Sequence, residues 1–172
     1  MTYVGIDVSK ATFVVAYSSA KSSKTKTFKN TTKGVHEFIQ TLSASEHHCV
    51  LEATGNYSSL LVYLLSQVGI TVSLENPLKI KNFARVMLSV TKTDETDARL
   101  IALYGEKMQP APYRLRSDAI LTLKQKRTVI RQLKKQLIAT RNLKGSMEAL
   151  PFFDPKCKNC LLYTSPSPRD RQ

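Results

Sequence analysis

The chain has 172 residues, a formal net charge of +13 and a hydrophobic content of 42%. This length allows one domain with an appended segment, and the hydrophobic content suffices for a packed core, so that a mainly disordered chain is not expected. No run approaches the roughly 18 apolar residues of a membrane span, the first residues lack the pattern of a secretory signal, and Cys49, Cys157 and Cys160 do not make a disulfide framework. We therefore expect a soluble, cytoplasmic protein with no membrane partner, and its positive charge favours nucleic acid as a partner.

The chain begins with strand patterns separated by short turns. Residues 3–8, 12–17 and 25–29 are β-prone runs, and the short turns between them favour antiparallel pairing. A helix capped by Thr31 or Thr32 is predicted next, because apolar residues then recur on one helical face. These are Val35, Phe38, Ile39 and Leu42.

Alternating strand and helix patterns follow. A short buried strand over residues 49–51 ends at Glu52, and a second is predicted over residues 70–74. Helices are predicted over residues 58–68 with Gly69 at the C-cap, from Pro77 to about residue 88, and over residues 94–104. An antiparallel unit followed by βα crossovers predicts an α/β fold. It is a mixed sheet covered by helices, in ribonuclease H-like order, over residues 1–110.

The composition changes after residue 112. Residues 114–144 include ten Lys or Arg and one acid, Asp118. Apolar residues recur at helix-like intervals at Leu121, Ile130, Leu133, Leu137, Leu143, Met147 and Leu150, with one slip of phase before Leu143. This pattern predicts a long basic amphipathic helix within residues 111–150, whose apolar stripe needs a partner. Its predicted nucleic-acid-binding residues are Lys124, Lys126, Arg127, Arg131, Lys134, Lys135 and Arg141. Residues 161–172 have no periodicity, and residues 151–172 are predicted to be a disordered tail.

Four carboxylates stand at positions that suit a metal site. Asp7 lies within an apolar run, where a charge is costly unless it is paired or metal-bound. Glu52 ends a strand, and Asp94 and Asp97 share one helix face. Each has a simpler explanation when taken alone: the start of a turn, a solvated strand end, and ordinary helix capping. Together, however, carboxylates from several elements are what phosphoryl transfer by divalent ions requires, and Mg²⁺ prefers such oxygen ligands.

Four segments of the sequence together resemble a known family. They are Gly5-Ile6-Asp7-Val8-Ser9-Lys10, Leu51-Glu52-Ala53-Thr54-Gly55-Asn56-Tyr57, Asn76-Pro77 and Lys92-Thr93-Asp94-Glu95-Thr96-Asp97-Ala98. Their order and spacing resemble the DEDD insertion-sequence transposases, relatives of the Piv-type DNA invertases, over about residues 1–105, and the basic helix continues the match to about residue 150. The resemblance implies a RuvC-like fold and an Mg²⁺-binding tetrad of Asp7, Glu52, Asp94 and Asp97. It also implies a helical segment that forms homodimers or higher oligomers, and DNA and a noncoding guide RNA as partners.

The same family resemblance implies a separate C-terminal domain with a serine nucleophile. We expect that domain to lie beyond this sequence, because residues 160–172 resemble a translated sequencing-library adapter, and Ser165 and Ser167 are not candidates. The chain alone is then expected not to recombine DNA. One alternative is a stand-alone RuvC-like Holliday-junction nuclease. Others are an actin-like sugar kinase, which would need Gly-rich phosphate loops, and a non-enzymatic nucleic-acid binder.

Overall fold

The computed structural model of the chain describes residues 1–18, 25–53, 55–87 and 93–163. Thr54 and Lys92, which belong to two of the sequence motifs, and the tail after residue 163 lie outside the described residues. The elements in chain order are β1 (Thr2–Val8), β2 (Thr12–Tyr17), β3 (Lys26–Lys29), α1 (Thr32–Ile39), β4 (His47–Glu52), α2 (Ser59–Gln67), β5 (Thr71–Glu75), α3 (Pro77–Val86), α4 (Asp94–Met108), α5 (Asp118–Glu148) and α6 (Pro155–Tyr163). The chain divides into two units, Met1–Leu115 and Arg116–Gln172.

The five strands form one mixed sheet in the order β3-β2-β1-β4-β5. The first three strands pair antiparallel, whereas β1 pairs with β4 and β4 with β5 in parallel. Parallel neighbours need a crossover, and the chain supplies it through α1 and α2. The α/β fold predicted from the sequence, a ribonuclease H-like mixed sheet covered by helices, is thereby confirmed.

The two faces of the sheet carry different helices because side chains alternate along each strand. On β1, Val4, Ile6 and Val8 join the main core, which also contains residues of α1 and α2 such as Phe38 and Leu61. The opposite face of the sheet packs against α3 and α4 through a separate cluster of Val50, Ile80, Ile101 and Tyr104. The candidate carboxylates lie on this second face.

The segment after α4 is bound to the sheet. The backbone N–H of Tyr113 donates to the Val72 carbonyl at 2.7 Å, which covers part of the edge strand β5. The Ser73 hydroxyl lies 3.0 Å from the Pro110 carbonyl oxygen and 2.8 Å from that of Ala111. The first unit therefore continues to Leu115, later than the predicted boundary at residue 110.

The described part of the second unit contains the helices α5 and α6. α5 has 31 residues, none of them buried, and lies within the segment for which a long helix was predicted. The prediction of disorder was wrong for residues 155–163, which form α6. The Asp154 carboxylate accepts a hydrogen bond from the Lys156 N–H at 2.7 Å, and Pro155 suits the first helical position, so that an Asp-Pro pair starts this helix.

Among the helices of the described ranges, none has both the length and the apolar character needed to cross a membrane.

Candidate active site

Asp7 is half-buried on β1, on the face of the sheet that α4 covers. Gly5, two residues earlier, lies on the same face. A Cβ atom at Gly5 would overlap the backbone of Ala98 and Ala102 in α4. Glycine at this position therefore allows the helix backbone to approach the strand directly, and the first turns of α4 lie beside Asp7.

Glu52 is half-buried at the end of β4. The parallel pairing of β1 with β4 continues as far as Ile6 opposite Leu51. Asp7 and Glu52 each follow the last paired residue of their strand, so both lie at the carboxyl end of the two parallel strands. This is the edge where α/β folds place ligands.

Asp94 and Asp97 lie in the first turn of α4. The cap of this helix is made by two threonines: the Thr93 hydroxyl accepts from the Thr96 N–H at 3.2 Å, and the Thr96 hydroxyl accepts from the Thr93 N–H at 2.8 Å. The aspartates are therefore not the capping residues, although negative charge in a first helical turn also favours the helix dipole. Asp94 is exposed and Asp97 is half-buried.

The four carboxylates interact electrostatically. Burial, followed by the negative charges of Asp97, Asp94 and Glu52, raises the pKa of Asp7 to about 6, against the opposing effect of a backbone hydrogen bond at Val8. Ionised Asp7 is thus destabilised by its surroundings. Three further carboxylates, one on a second strand and two on a helix, therefore lie close enough to Asp7 to raise its pKa.

The donor set suits hard divalent cations. Carboxylate oxygens are the ligands that Mg²⁺ prefers, and Mg²⁺ sites use few protein ligands because the ion keeps several waters or phosphate oxygens. Within the described ranges, no three His, Cys, Asp or Glu side chains are grouped closely enough to enclose one ion.

A fifth carboxylate at the same edge was not predicted from the sequence. Glu75 ends β5 in register with Glu52 and is 9% exposed. Its carboxylate pairs with the Lys79 ammonium at 2.9 Å and accepts from the Tyr104 hydroxyl at 3.4 Å. Glu75 therefore ties β5 to α3 and α4. The available sequence signal was the four-residue spacing of Glu75 and Lys79 across the start of α3.

The predicted nucleic-acid-binding residues all belong to α5 and are exposed: Lys124, Lys126, Arg127, Arg131, Lys134, Lys135 and Arg141. At 3.6 residues per turn, all of them except Lys126 fall on one side of the helix. Ile130, Leu133 and Leu137 fall on another side, and the first two are 53% and 58% exposed. The helix thus presents a basic side and an apolar stripe.

Comparison with known proteins matches residues 4–148 to the family model of the DEDD transposases of the IS110 type, described as transposase. Two curated relatives are the pilin gene-inverting proteins of Moraxella bovis and Moraxella lacunata. Each is 33% identical over an alignment of 157 residues that covers 88% of this chain and 48% of the relative. The chain therefore spans about half the length of the curated relatives it matches.

Among solved structures, the chain is similar to RuvC from T. thermophilus, in a complex with a Holliday junction substrate. The match has a TM-score of 0.46 and 13% sequence identity, and it covers 66% of this chain and 99% of that one. A further structure of Thermus thermophilus RuvC gives a TM-score of 0.44.

Proposed function

This chain belongs to the DEDD transposase family, and we propose that its first unit carries the Mg²⁺-dependent phosphodiester chemistry of a DNA transposase or site-specific recombinase. The observation that supports the proposal most directly is the electrostatic coupling of Asp7 to Asp97, Asp94 and Glu52. Four carboxylates held against their mutual repulsion suit a site that gains stability when cations bind.

Each element has a separate part in the proposed chemistry. Bound divalent ions would polarise the phosphodiester and stabilise the charge that develops on its oxygens. Asp7 and Glu52, on neighbouring strands of one sheet, would hold the ions on a rigid base. Asp94 and Asp97, in the first turn of α4, would supply further carboxylate oxygens to the ions.

The first prediction is that Mg²⁺ stabilises the fold through this site. With a Kd of about 1 mM, about 10 mM Mg²⁺ would add roughly 1.4 kcal/mol to the free energy of unfolding, a rise of about 3–6 °C in Tm. Thermal denaturation of the full chain, with Na⁺ at equal ionic strength as reference, measures the shift. Asp7→Asn and Asp97→Asn are expected to remove most of it.

Glu37→Gln is the matched control, because Glu37 is an exposed carboxylate on α1 and its replacement also removes one negative charge. This variant should keep the full response to Mg²⁺. An equal response in all the variants would show that Mg²⁺ acts elsewhere and would refute the assignment of the tetrad.

For the second unit, we propose that α5 binds DNA through its basic side and a second copy of the chain through its apolar stripe. None of the 31 residues of α5 is buried against the described part of the chain, so a partner helix would add packing along the apolar stripe. The family relationship further motivates a noncoding guide RNA as a second polyanion. The net charge of +13 supports either nucleic acid.

The second prediction concerns the salt dependence of DNA binding. We assume that Arg127, Arg131 and Lys134 each contact one phosphate. Replacing all three by Gln should then reduce the slope of the log binding constant against the log salt concentration, in magnitude, by about 2–3. Fluorescence anisotropy with duplex DNA at several salt concentrations measures the slope. The control replaces Lys26, Lys29 and Lys33, which are exposed on β3 and α1, and removes the same charge. Equal loss in both triple variants would contradict a binding face on α5.

A further inference from the structure

Asn30, which lies between β3 and α1, links two loops that belong to the candidate active site. Its Nδ2 amide donates to the Ser9 carbonyl at 3.0 Å and to the Tyr57 carbonyl at 3.0 Å. Ser9 follows Asp7 at the end of β1, and Tyr57 lies in the loop that follows Glu52 at the end of β4. We propose that Asn30 is a positioning residue that holds these two loops together and thereby fixes Asp7 relative to Glu52.

The chemistry of the two contacts requires an amide. Both partners are carbonyl oxygens, which only accept hydrogen bonds, so the group between them must be the NH₂ of the side chain, with two hydrogens to donate. Aspartate has the same shape but would present an oxygen to both carbonyls. In addition, the backbone N–H of Asn30 donates to the Ala11 carbonyl at 2.8 Å, so that the residue is anchored to the β1–β2 turn at two points.

The Oδ1 atom of Asn30 makes the arrangement costly. It is buried, and among the described atoms it has no hydrogen-bond partner. A buried acceptor without a partner lowers the stability of the fold because it has lost its hydrogen bonds to water. The fold therefore keeps both hydrogen bonds that Nδ2 donates, although Oδ1 is left without a partner. This is expected of a side chain that holds the neighbouring loops in place.

The position of the link explains why it matters for the carboxylates. The registered pairing of β1 with β4 ends at Ile6 and Leu51, one residue before Asp7 and Glu52. Beyond that point Asn30 connects the two chain segments through its side chain. Without this link, a movement of the loop after Glu52 would alter the distance between Asp7 and Glu52 while the hydrogen bonds between the strands remained intact.

The inference rests on the proposed function. Two measurements on the full chain test the role of Asn30 and the proposed metal site separately. Hydrogen exchange reports on the loops, and an Mg²⁺ titration followed by Tm reports on the site. Asn30→Ala is expected to speed exchange about tenfold at amides of residues 9–12 and 55–58. It is also expected to weaken the apparent Mg²⁺ affinity about tenfold, as loss of a residue that orients metal ligands commonly does. Asn30→Ser, whose hydroxyl can donate to one carbonyl only, should be intermediate and replaces the alanine variant if that one does not fold.

Ser73→Ala is the control for a general loss of stability. Ser73 hydrogen-bonds to His48 and to the segment after α4, so its replacement should lower Tm while leaving both loops and the Mg²⁺ affinity unchanged. Unchanged exchange in either loop, or an unchanged Mg²⁺ affinity in a folded Asn30 variant, overturns the inference. A native chain that does not respond to Mg²⁺ overturns the proposed metal site instead, and the exchange data then still decide whether Asn30 joins the loops.

Discussion

Gly5→Ala is expected to lower the Tm of the chain by about 6–12 °C or to prevent folding. The added methyl would overlap the backbone nitrogen of Ala102 and the backbone oxygen of Ala98. Neither atom belongs to a flexible side chain, so α4 as a whole would have to move away from β1. Overpacking that forces the backbone to shift costs about 1–3 kcal/mol, and the upper end applies here because both overlapped atoms belong to the backbone. A loss of about 3 kcal/mol corresponds to that change of Tm in a chain of this size. Thermal denaturation measures it.

Gly145→Ala is the matched control. Gly145 lies in α5, and a Cβ atom there would meet nothing within 4 Å. Because alanine favours a helix over glycine by about 1 kcal/mol, this variant should be as stable as the native chain or slightly more stable. A Gly5→Ala variant that melts like the native chain would show that α4 does not press on β1, and the placement of Asp97 beside Asp7 would then be wrong.

The parts of the fold that depend on local pattern could be predicted from the sequence. The β-prone run over residues 3–8 predicted β1, and Pro77 indicated the start of α3, which begins at this residue. Both features follow from rules that relate neighbouring residues. The same is true of the pairing directions in the sheet, since short turns indicate antiparallel hairpins and helices indicate parallel crossovers.

The contacts that complete the candidate site depend on residues far apart in the chain. Nothing near Gly5 in the sequence reveals that Ala98 and Ala102 lie against it. The interpretation of Asp94 and Asp97 as possible caps could not be resolved either, because Thr93 and Thr96 were equally suitable and only the hydrogen bonds distinguish them. Glu75 and Asn30 were missed for a related reason, since partners on other elements give each residue its role.

Replacing Asp7 by Asn is expected to stabilise the Mg²⁺-free chain at neutral pH while it impairs the site. The pKa of Asp7 in the folded chain, about 6, lies above the ordinary value of 3.8. Protonated Asp7 therefore favours folding. That contribution is fully present below about pH 4 and is lost as the pH rises through about 6. At pH 7.5 the ionised side chain costs on the order of 1–2 kcal/mol, allowing for its partial exposure to solvent.

The expected result is a Tm of Asp7→Asn about 3–6 °C above that of the native chain at pH 7.5 without Mg²⁺. The difference should narrow as the pH falls from 7 to 4, and saturating Mg²⁺ should also reduce it because bound cations offset the repulsion. Thermal denaturation at several pH values measures both trends, with Glu37→Gln as the control for the loss of one exposed negative charge. If Asp7→Asn were less stable than the native chain at pH 7.5, the carboxylate would be held by a favourable partner. The repulsive cluster that motivates the metal site would then not exist.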